Sequence, residues 1–444
     1  MPILALSMPD PTKDWGEAPD VCVFYGRTEE LTTLKQWIVK DRCRLVALLG
    51  MGGIGKTALS VRLAEQIQGE FEYLIWRSLR NALPFPEFLF SLSQFLCNQQ
   101  ETDVPEKVKD GASQLIHYLR KHHCLIILDD VEAILRSGDR AGHYLEGYEG
   151  YGEFIRRVGN DCHRSCIVLI SREQPEEIAL SAGETLPVRT LQLGGLQEED
   201  AREIFRAKGF SGSEDRLADL IHLYSGNPSA LKIIAALIQN LFNGNASLYL
   251  RQGTLVLGDT LREVLNQQFK RLSDLEKEIM YWLAIERKPV TLPQLQERIL
   301  LRLSRSELME ALASLKLRAL IKLNPEKSEA LFTLQPVLMK YVITQLVEQV
   351  CDEICEVIQT QEIGKFRLCR SHALNQQQDT DIGEVKTRLI VVRVKDKLCT
   401  IFRSESTIEH QMGEILSRLE GRAQLEVGYV RQNVLELLRE LRID

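Results

Sequence analysis

Eight residues constrain this chain more than any others: Gly50-Met51-Gly52-Gly53-Ile54-Gly55-Lys56-Thr57. Glycines at that density let the backbone curl until successive N–H groups converge, which makes a cup for an anion. The flanks agree with that geometry. The apolar run at 45–49 (LVALL) leads in, and the amphipathic stretch ALSVRLAEQI, with Leu59, Leu63 and Ile67 on one face, leads out. A buried strand, a glycine loop and a helix in that order set the positive end of the helix behind the cup. Read as a phosphate loop, the backbone from Gly50 to Ala58 holds a polyphosphate. Lys56 reaches its β- and γ-phosphates, and the Thr57 hydroxyl coordinates Mg2+. A purely structural glycine turn is the plainer alternative, and the strand and helix around it count against that.

The loop sits in an alternating pattern. Short apolar runs at 45–49, 73–76, 124–128, 166–170 and 188–193 suit buried strands, and helical periodicities such as Leu115, Ile116 and Leu119 lie between them. Nearly continuous apolar strands alternating with helices predict a parallel sheet covered on both faces, over residues 22–195. After 196 the strands stop. Helical patterns follow at 198–208, 214–225, 228–242 and 258–271, with Gly226-Asn227-Pro228 as a stop and restart, so 196–271 reads as a helical bundle. Three more helical stretches (274–285, 291–300, 304–318) precede apolar runs at 319–323 and 330–334 around the turn NPEKSE, the outline of a winged helix over 272–345. Residues 346–444 read as mainly helical. Their segment 388–402 is ambiguous between helix and strand, and the spacing of Ile390, Val394 and Leu398 favours helix. Residues 1–21 look like a leader or linker.

Composition narrows the class without naming a function. A chain of 444 residues, 44% hydrophobic and 26% charged, has enough apolar material for several cores. A net charge of −7 counts weakly against a broad nucleic-acid surface. The start, MPILALSMPDP, lacks a basic head and meets prolines early, and no apolar run is long enough to span a bilayer, so a cytoplasmic protein is expected. Ten cysteines lie scattered. Cys162 and Cys166 flank His163, and Cys351 and Cys355 stand four apart, yet neither pair has a matching second pair for a metal, so structural thiols are expected.

A magnesium nucleotide needs an acid as well as a loop. Leu125-Ile126-Ile127-Leu128-Asp129-Asp130 ends an apolar run in two carboxylates. A strand neighbouring the loop strand would bring Asp129 to the ligand-binding edge of the sheet, there to hold the Mg2+ shell, with Asp130 placed to orient or deprotonate a water. Ser171-Arg172 follows another apolar run, and Arg172 at that edge would read a γ-phosphate. A solvated strand-end arginine is its bland alternative.

With these elements in place, the chain resembles the NB-ARC branch of the STAND ATPases, the switches of apoptosome and plant immune-receptor type, and in particular their cyanobacterial members. The resemblance runs from about Val23 to Thr344 and weakly to the end. Phe24-Tyr25-Gly26-Arg27 with Glu29-Glu30-Leu31 is similar to the family's entry motif, which implies that these residues cradle adenine. Phe71, Trp76 and Leu79 match its second-strand signature, and Ser171-Arg172 its strand-end sensor. Gly226-Asn227-Pro228-Ser229-Ala230-Leu231 resembles the Gly-Leu-Pro-Leu-Ala motif, which implies that Pro228 contacts the base or the ADP-bound core. The resemblance further implies an α/β P-loop NTPase core, ATP/ADP with Mg2+ as ligand, slow hydrolysis, and exchange that opens the domains and drives homo-oligomerisation, with an effector or sensor protein as partner.

Three departures stand out. Leu334-Gln335-Pro336 falls where the family carries Met-His-Asp, and no histidine is present, so either Gln335 substitutes for the one that closes on ADP or that lock is lost. Few residues precede Val21 where an effector domain is usual, and no repeat-built sensor follows within the sequence. Among smaller features, the Gly- and Tyr-rich stretch 136–151 reads as a surface loop rather than a flap over the nucleotide or a protomer contact, and Arg156 and Arg157 as a solvated helix face rather than a finger in a neighbouring protomer's site. The alternative function is a nucleotide-responsive transcription regulator binding DNA through the winged helix. Its candidate cations are Arg298, Arg302, Arg305, Lys316, Arg318 and Lys322, offset by Glu297, Glu307 and Glu310, a thin excess for phosphate contacts.

Overall fold

The structure is a computed structural model that describes residues 12–96, 108–210, 216–252, 256–299, 303–326, 329–374 and 389–442. Among these, six strands form one sheet: β1 (Thr12–Asp14), β2 (Leu45–Leu49), β3 (Tyr73–Ser78), β4 (Cys124–Asp129), β5 (Cys166–Ser171) and β6 (Val188–Gln192). Their spatial order is β1-β3-β4-β5-β2-β6, and every pairing is parallel. Five of the strands stand where the apolar runs predicted.

Both faces of the sheet are covered, which explains the unbroken apolar strands. Ala47, Leu49, Ile126, Leu128, Ile167 and Leu169 point to one face, among Phe85, Phe88, Leu92, Leu115, Tyr151 and Phe154 of the helices Phe85–Leu96, Val108–Lys121 and Glu149–Asn160. Val46, Leu48, Leu125, Ile127, Val168 and Ile170 point to the other, among Leu34, Leu59, Leu63 and Ile67 of the helices Thr28–Lys35 and Lys56–Ile67. Successive residues alternate faces as the period of two requires.

Two expectations about this region change. Thr12–Asp14 is not mere leader. It pairs with β3 as an edge strand, Thr12 N–H donating to the Glu72 carbonyl at 3.0 Å, and Arg77 grips Asp14 at 2.6 Å. A three-residue polar edge strand needs only backbone partners, so it leaves no apolar signature. Second, β4 does not neighbour β2, because β5 lies between them. Strand order in a parallel sheet depends on crossovers that hydrophobic patterns do not encode.

The chain divides into two compact units, Met1–Ser273 with Ser314–Leu320, and Asp274–Ala313 with Ile321–Asp444. In the first unit, helices Glu198–Ala207, Leu217–Leu223, Pro228–Phe242 and Asp259–Lys270 follow the sheet close to their predicted positions, with an unforeseen short helix at Ala246–Arg251. Asn227 starts the third of these, its side-chain oxygen accepting from Ala230 N–H and Pro228 occupying the first turn. The stretch 136–151 is not a plain surface loop. Tyr151 is buried with its hydroxyl on the Leu83 carbonyl at 2.8 Å, and Tyr148 bonds the Ala82 carbonyl at 2.6 Å. Glycine and tyrosine in a connecting segment look exposed in sequence, whereas here the rings pack beside Phe85 and Phe88.

In the second unit, helices Asp274–Glu286, Leu292–Arg298 and Arg305–Leu317 (its C-terminal turn counted with the first unit) precede an antiparallel pair, β7 (Lys322–Glu326) and β8 (Glu329–Thr333). The hairpin begins later than the apolar run at 319–323 suggests, because Ala319 adopts φ 58° and ends the preceding helix. The helix Pro336–Thr360 then runs without a break through the expected boundary at 345/346. Helices Leu389–Phe402, Glu405–Arg418 and Val430–Leu441 complete the unit, so 389–402 is helix.

Candidate functional site

The residues that carry the chemistry meet at the C-terminal edge of the sheet. In register, Leu49 of β2 pairs with Ser171 of β5, so Gly50 and Arg172 leave neighbouring strands at one level. Asp129 ends β4, one strand further on. That offset of two strand spacings, about 10 Å, is crossed by the helix leaving the loop, which brings the Thr57 hydroxyl close enough to the Asp129 carboxylate to oppose the rise in its pKa.

A cavity of about 570 Å3 opens at this edge. It is lined by Gly52 to Ala58, Phe24, Tyr25, Arg27, Asp129, Asp130, Arg172 and Pro228, which brings together most of the sequence-predicted site. Gly26, Gly50 and Met51 lie outside that lining. Gly26 packs so closely on Asp200 that a methyl group would collide with its carboxylate. Gly50 and Met51 instead turn their carbonyls on the Lys56 ammonium, at 2.8 and 3.3 Å.

The loop has the shape of an anion cradle. Gly53 and Gly55 sit at φ 75° and 99°, in the left-handed region open to glycine, and at Gly55 the nearest atom to an added Cβ is Pro228 at 4.0 Å. Burial holds the Lys56 ammonium down to about 8, against the pull of Glu132. Burial, with Asp130 alongside, lifts the Asp129 carboxyl to about 6, although the Asp130 N–H donates to Asp129 Oδ1 at 2.8 Å. A buried cation and a buried acid, each held away from its ordinary value, are what a polyphosphate with a divalent cation would satisfy.

Several contributors escaped the sequence reading. Glu132, three residues after Asp129, is buried and engages the end of β5 at three points: Arg172 Nε at 3.0 Å, Arg172 N–H at 3.1 Å and the Ser171 hydroxyl at 3.2 Å. Arg80 reaches Asp130 at 3.2 Å, and Asp130 itself has φ 56°. Asn227 Nδ2 donates to the Gly52 carbonyl at 3.2 Å and Ser229 N–H to the Gly53 carbonyl at 3.3 Å, so a helix start holds the phosphate loop from outside. Lys232, one turn on, stands 5.8 Å from the Tyr25 ring centre. Pro19, Asp20 and Val21, within the expected leader, also line the cavity. Only the spacing Asp129-x-x-Glu132 offered a signal, since a tight turn after a strand returns residue i+3 to the same edge.

Arg27 lines the cavity, and its buried side chain also has a structural task. Its guanidinium donates to the Ile54 carbonyl at 3.1 Å and the Gly194 carbonyl at 2.7 Å, while Glu30 pairs with it at 2.6 Å. It clamps the phosphate loop to the end of β6. Arg302 lies outside the described residues.

A parallel sheet with a glycine-rich anion loop at the end of β2, an acid at the end of β4 and an arginine after β5 defines a P-loop nucleotide-binding core of the α/β class. Residues 27–135 match the NB-ARC domain family, so the resemblance read from the motifs holds over that stretch. The match to that domain family fits nucleotide binding by this core. An uncharacterized WD repeat-containing protein of Nostoc, alr2800, is 45% identical over 99% of this chain, and this chain spans 38% of its length. The disease resistance protein RPV1 of Vitis rotundifolia is 25% identical over 44% of this chain and 13% of its own. Among solved structures, a STAND protein with a tetratricopeptide repeat sensor from Pyrococcus horikoshii aligns with 96% of this chain and 60% of its own, at 17% identity and a TM-score of 0.39. A Walker-type ATPase of Pyrococcus abyssi aligns with 72% of this chain and 96% of its own, at 12% identity and a TM-score of 0.45. Among the described residues no helix is long and apolar enough to cross a membrane.

Proposed function

We propose that this chain is an ADP/ATP switch with slow Mg2+-dependent hydrolysis, in which nucleotide exchange controls domain opening and homo-oligomerisation. The observation that carries this reading is the single cavity shared by Lys56, Thr57, Asp129, Asp130, Arg172 and Pro228. Thr57 and Asp129 fit a divalent cation, since a hydroxyl and a buried carboxylate share the cavity wall there. Mg2+, when bound there, neutralises phosphate charge. Lys56 compensates the phosphates, Asp130 orients a water, and Arg172 meets the terminal phosphate. Phe24, Tyr25 and Pro228 form the apolar end that suits a base.

The arrangement favours holding over turnover. Arg80 and Glu132 occupy Asp130 and Arg172, the two groups that hydrolysis would employ. As domains we propose a nucleotide-binding domain at 22–195 with the edge strand Thr12–Asp14 added to it, a helical domain at 196–271, and a winged helix from 272 that passes through the unbroken helix Pro336–Thr360 into a helical region, in a cytoplasmic protein that answers to a sensor or effector. The DNA-binding alternative draws less support. Arg318, one of its cations, is buried against Glu173, and Arg298 pairs with Glu286 at 3.3 Å.

The deciding experiment releases and identifies nucleotide from the purified protein and measures molar mass with Mg·ADP and Mg·ATP. ADP in stoichiometric amount and a larger assembly with ATP are expected. Absence of calorimetric binding of either nucleotide in Mg2+ would end this reading.

A further inference from the structure

One residue beyond Arg172, the chain buries a second carboxylate that takes no part in the cavity. Glu173 is 2% exposed. Its Oε2 accepts from Arg318 at 2.6 Å and from Arg271 at 3.1 Å, and its Oε1 accepts from Gly142 N–H at 2.9 Å. Arg318 also donates to the Asp139 carbonyl at 2.6 Å, and Arg271 to the carbonyls of Leu135 and Arg136, both at 3.1 Å. Two backbone contacts run alongside: Ala141 N–H to the Ser314 hydroxyl at 2.7 Å, and Gln174 N–H to the Leu317 carbonyl at 3.2 Å. Within the first unit, Glu173 therefore fastens Ser314–Leu320 and Arg271 to the stretch 135–142.

This fastening is wired to the cavity through Ser171. Its hydroxyl donates to Glu132 Oε2 at 3.2 Å and accepts from Glu173 N–H at 3.1 Å. Glu132 is the carboxylate that holds Arg172. Three consecutive residues thus join a cavity wall to a buried charge cluster.

We propose that Glu173 is the keeper of a latch on Ser314–Leu320, and that a terminal phosphate loosens it by drawing Arg172 away from Glu132. The proposal rests on the nucleotide-switch reading above. A γ-phosphate carries more negative charge than the one carboxylate of Glu132 and competes for the same guanidinium. ADP lacks that group, so Arg172 stays on Glu132 and Ser171 stays bridged to Glu173. Two guanidiniums sharing one carboxylate oxygen in the interior hold only while each partner keeps its place, since a buried charge that loses its partner is costly. A small displacement at Ser171 is therefore enough to weaken the cluster.

The test is hydrogen–deuterium exchange on the full chain with Mg·ADP and with a non-hydrolysable ATP analogue, with calorimetry on the same samples. Wild type with ADP should exchange slowly over 139–142, 173–176 and 314–320, and the analogue should speed all three at least tenfold. Glu173→Gln should exchange fast in both states, yet bind ADP within threefold of wild type, because its side chain lies outside the cavity. Equal exchange with both nucleotides bound, or slow exchange in both Glu173→Gln and Arg318→Met, overturns the latch. If neither nucleotide binds, the switch reading fails by itself, and the variants alone decide the latch by the same criterion. Should Glu173→Gln not fold, Arg318→Lys, which keeps the cation and loses the fork to Asp139, is read in its place.

Discussion

The two units bury polar groups in contrasting ways. In the first, ionised groups gather around one edge of the sheet: Lys56, Asp129, Glu132, Glu173, Arg27 and Arg318 are all buried there. In the second, Glu276 and Lys395 are buried too, but the polar groups packed around Trp282 are neutral. Asn433 accepts from the Leu374 N–H and donates to the carbonyls of Cys369 and His372. The His372 ring in turn bonds Ser371 and the Glu278 carbonyl. Buried charge costs stability unless something pairs with it, so its concentration marks where a ligand is handled. A neutral buried network instead fixes one packing arrangement.

Four measurements can break or sharpen that contrast. The largest effect is expected from Trp282→Ala, which empties the second unit's core at a cost of about 4 kcal/mol. Urea denaturation should show that loss, with ADP affinity of the folded protein unchanged. A change in affinity would show that the two kinds of burial are not separate. Lys56→Met should do the reverse. ADP binding weakens about 100-fold, or about 3 kcal/mol, while stability holds, because burial already disfavours the ammonium, whose value is held down to about 8.

His372 provides a pH test. Burial lowers its value from 6.5 to about 4, so the unfolded chain takes up a proton before the folded one does. Its contribution is complete above about pH 6.5 and is lost as the pH falls towards 4, by about 3 kcal/mol in all. His372→Gln should flatten that part of the stability profile, and an unchanged slope would refute the assignment. Asn227→Ala is the smallest. Losing a helix cap and the bond to Gly52 should cost about 1–2 kcal/mol, read by thermal melting, together with a few-fold weaker ADP binding.

Much of the site was legible because its chemistry is local. Gly50 to Thr57 carries its own geometry, and Asp129 and Arg172 close apolar runs that make evident strands. What stayed hidden depends on distant partners. Nothing in the neighbourhood of Glu173 announces Arg271 and Arg318, and nothing around Asn227 announces the Gly52 carbonyl. The strand β1 was invisible because Thr12–Asp14 is short and polar and joins the sheet through backbone bonds and one ion pair. The position of β5 between β2 and β4 depends on how crossovers wind, so the loop and the acid seemed nearer neighbours than they are. In the second unit the helical periodicities were sound, yet the ends moved: Pro336 opens a helix, where the sequence suggested that a domain was about to close.

One consequence concerns Gly52. A single methyl group there would run into the Val264 side chain of the helix Asp259–Lys270. Loop and helix are consequently a matched pair, cut to each other's outline like key and ward. Chimeras that exchange residues 196–271 between relatives should keep a working loop only when the incoming helix presents something no bulkier than valine at that point.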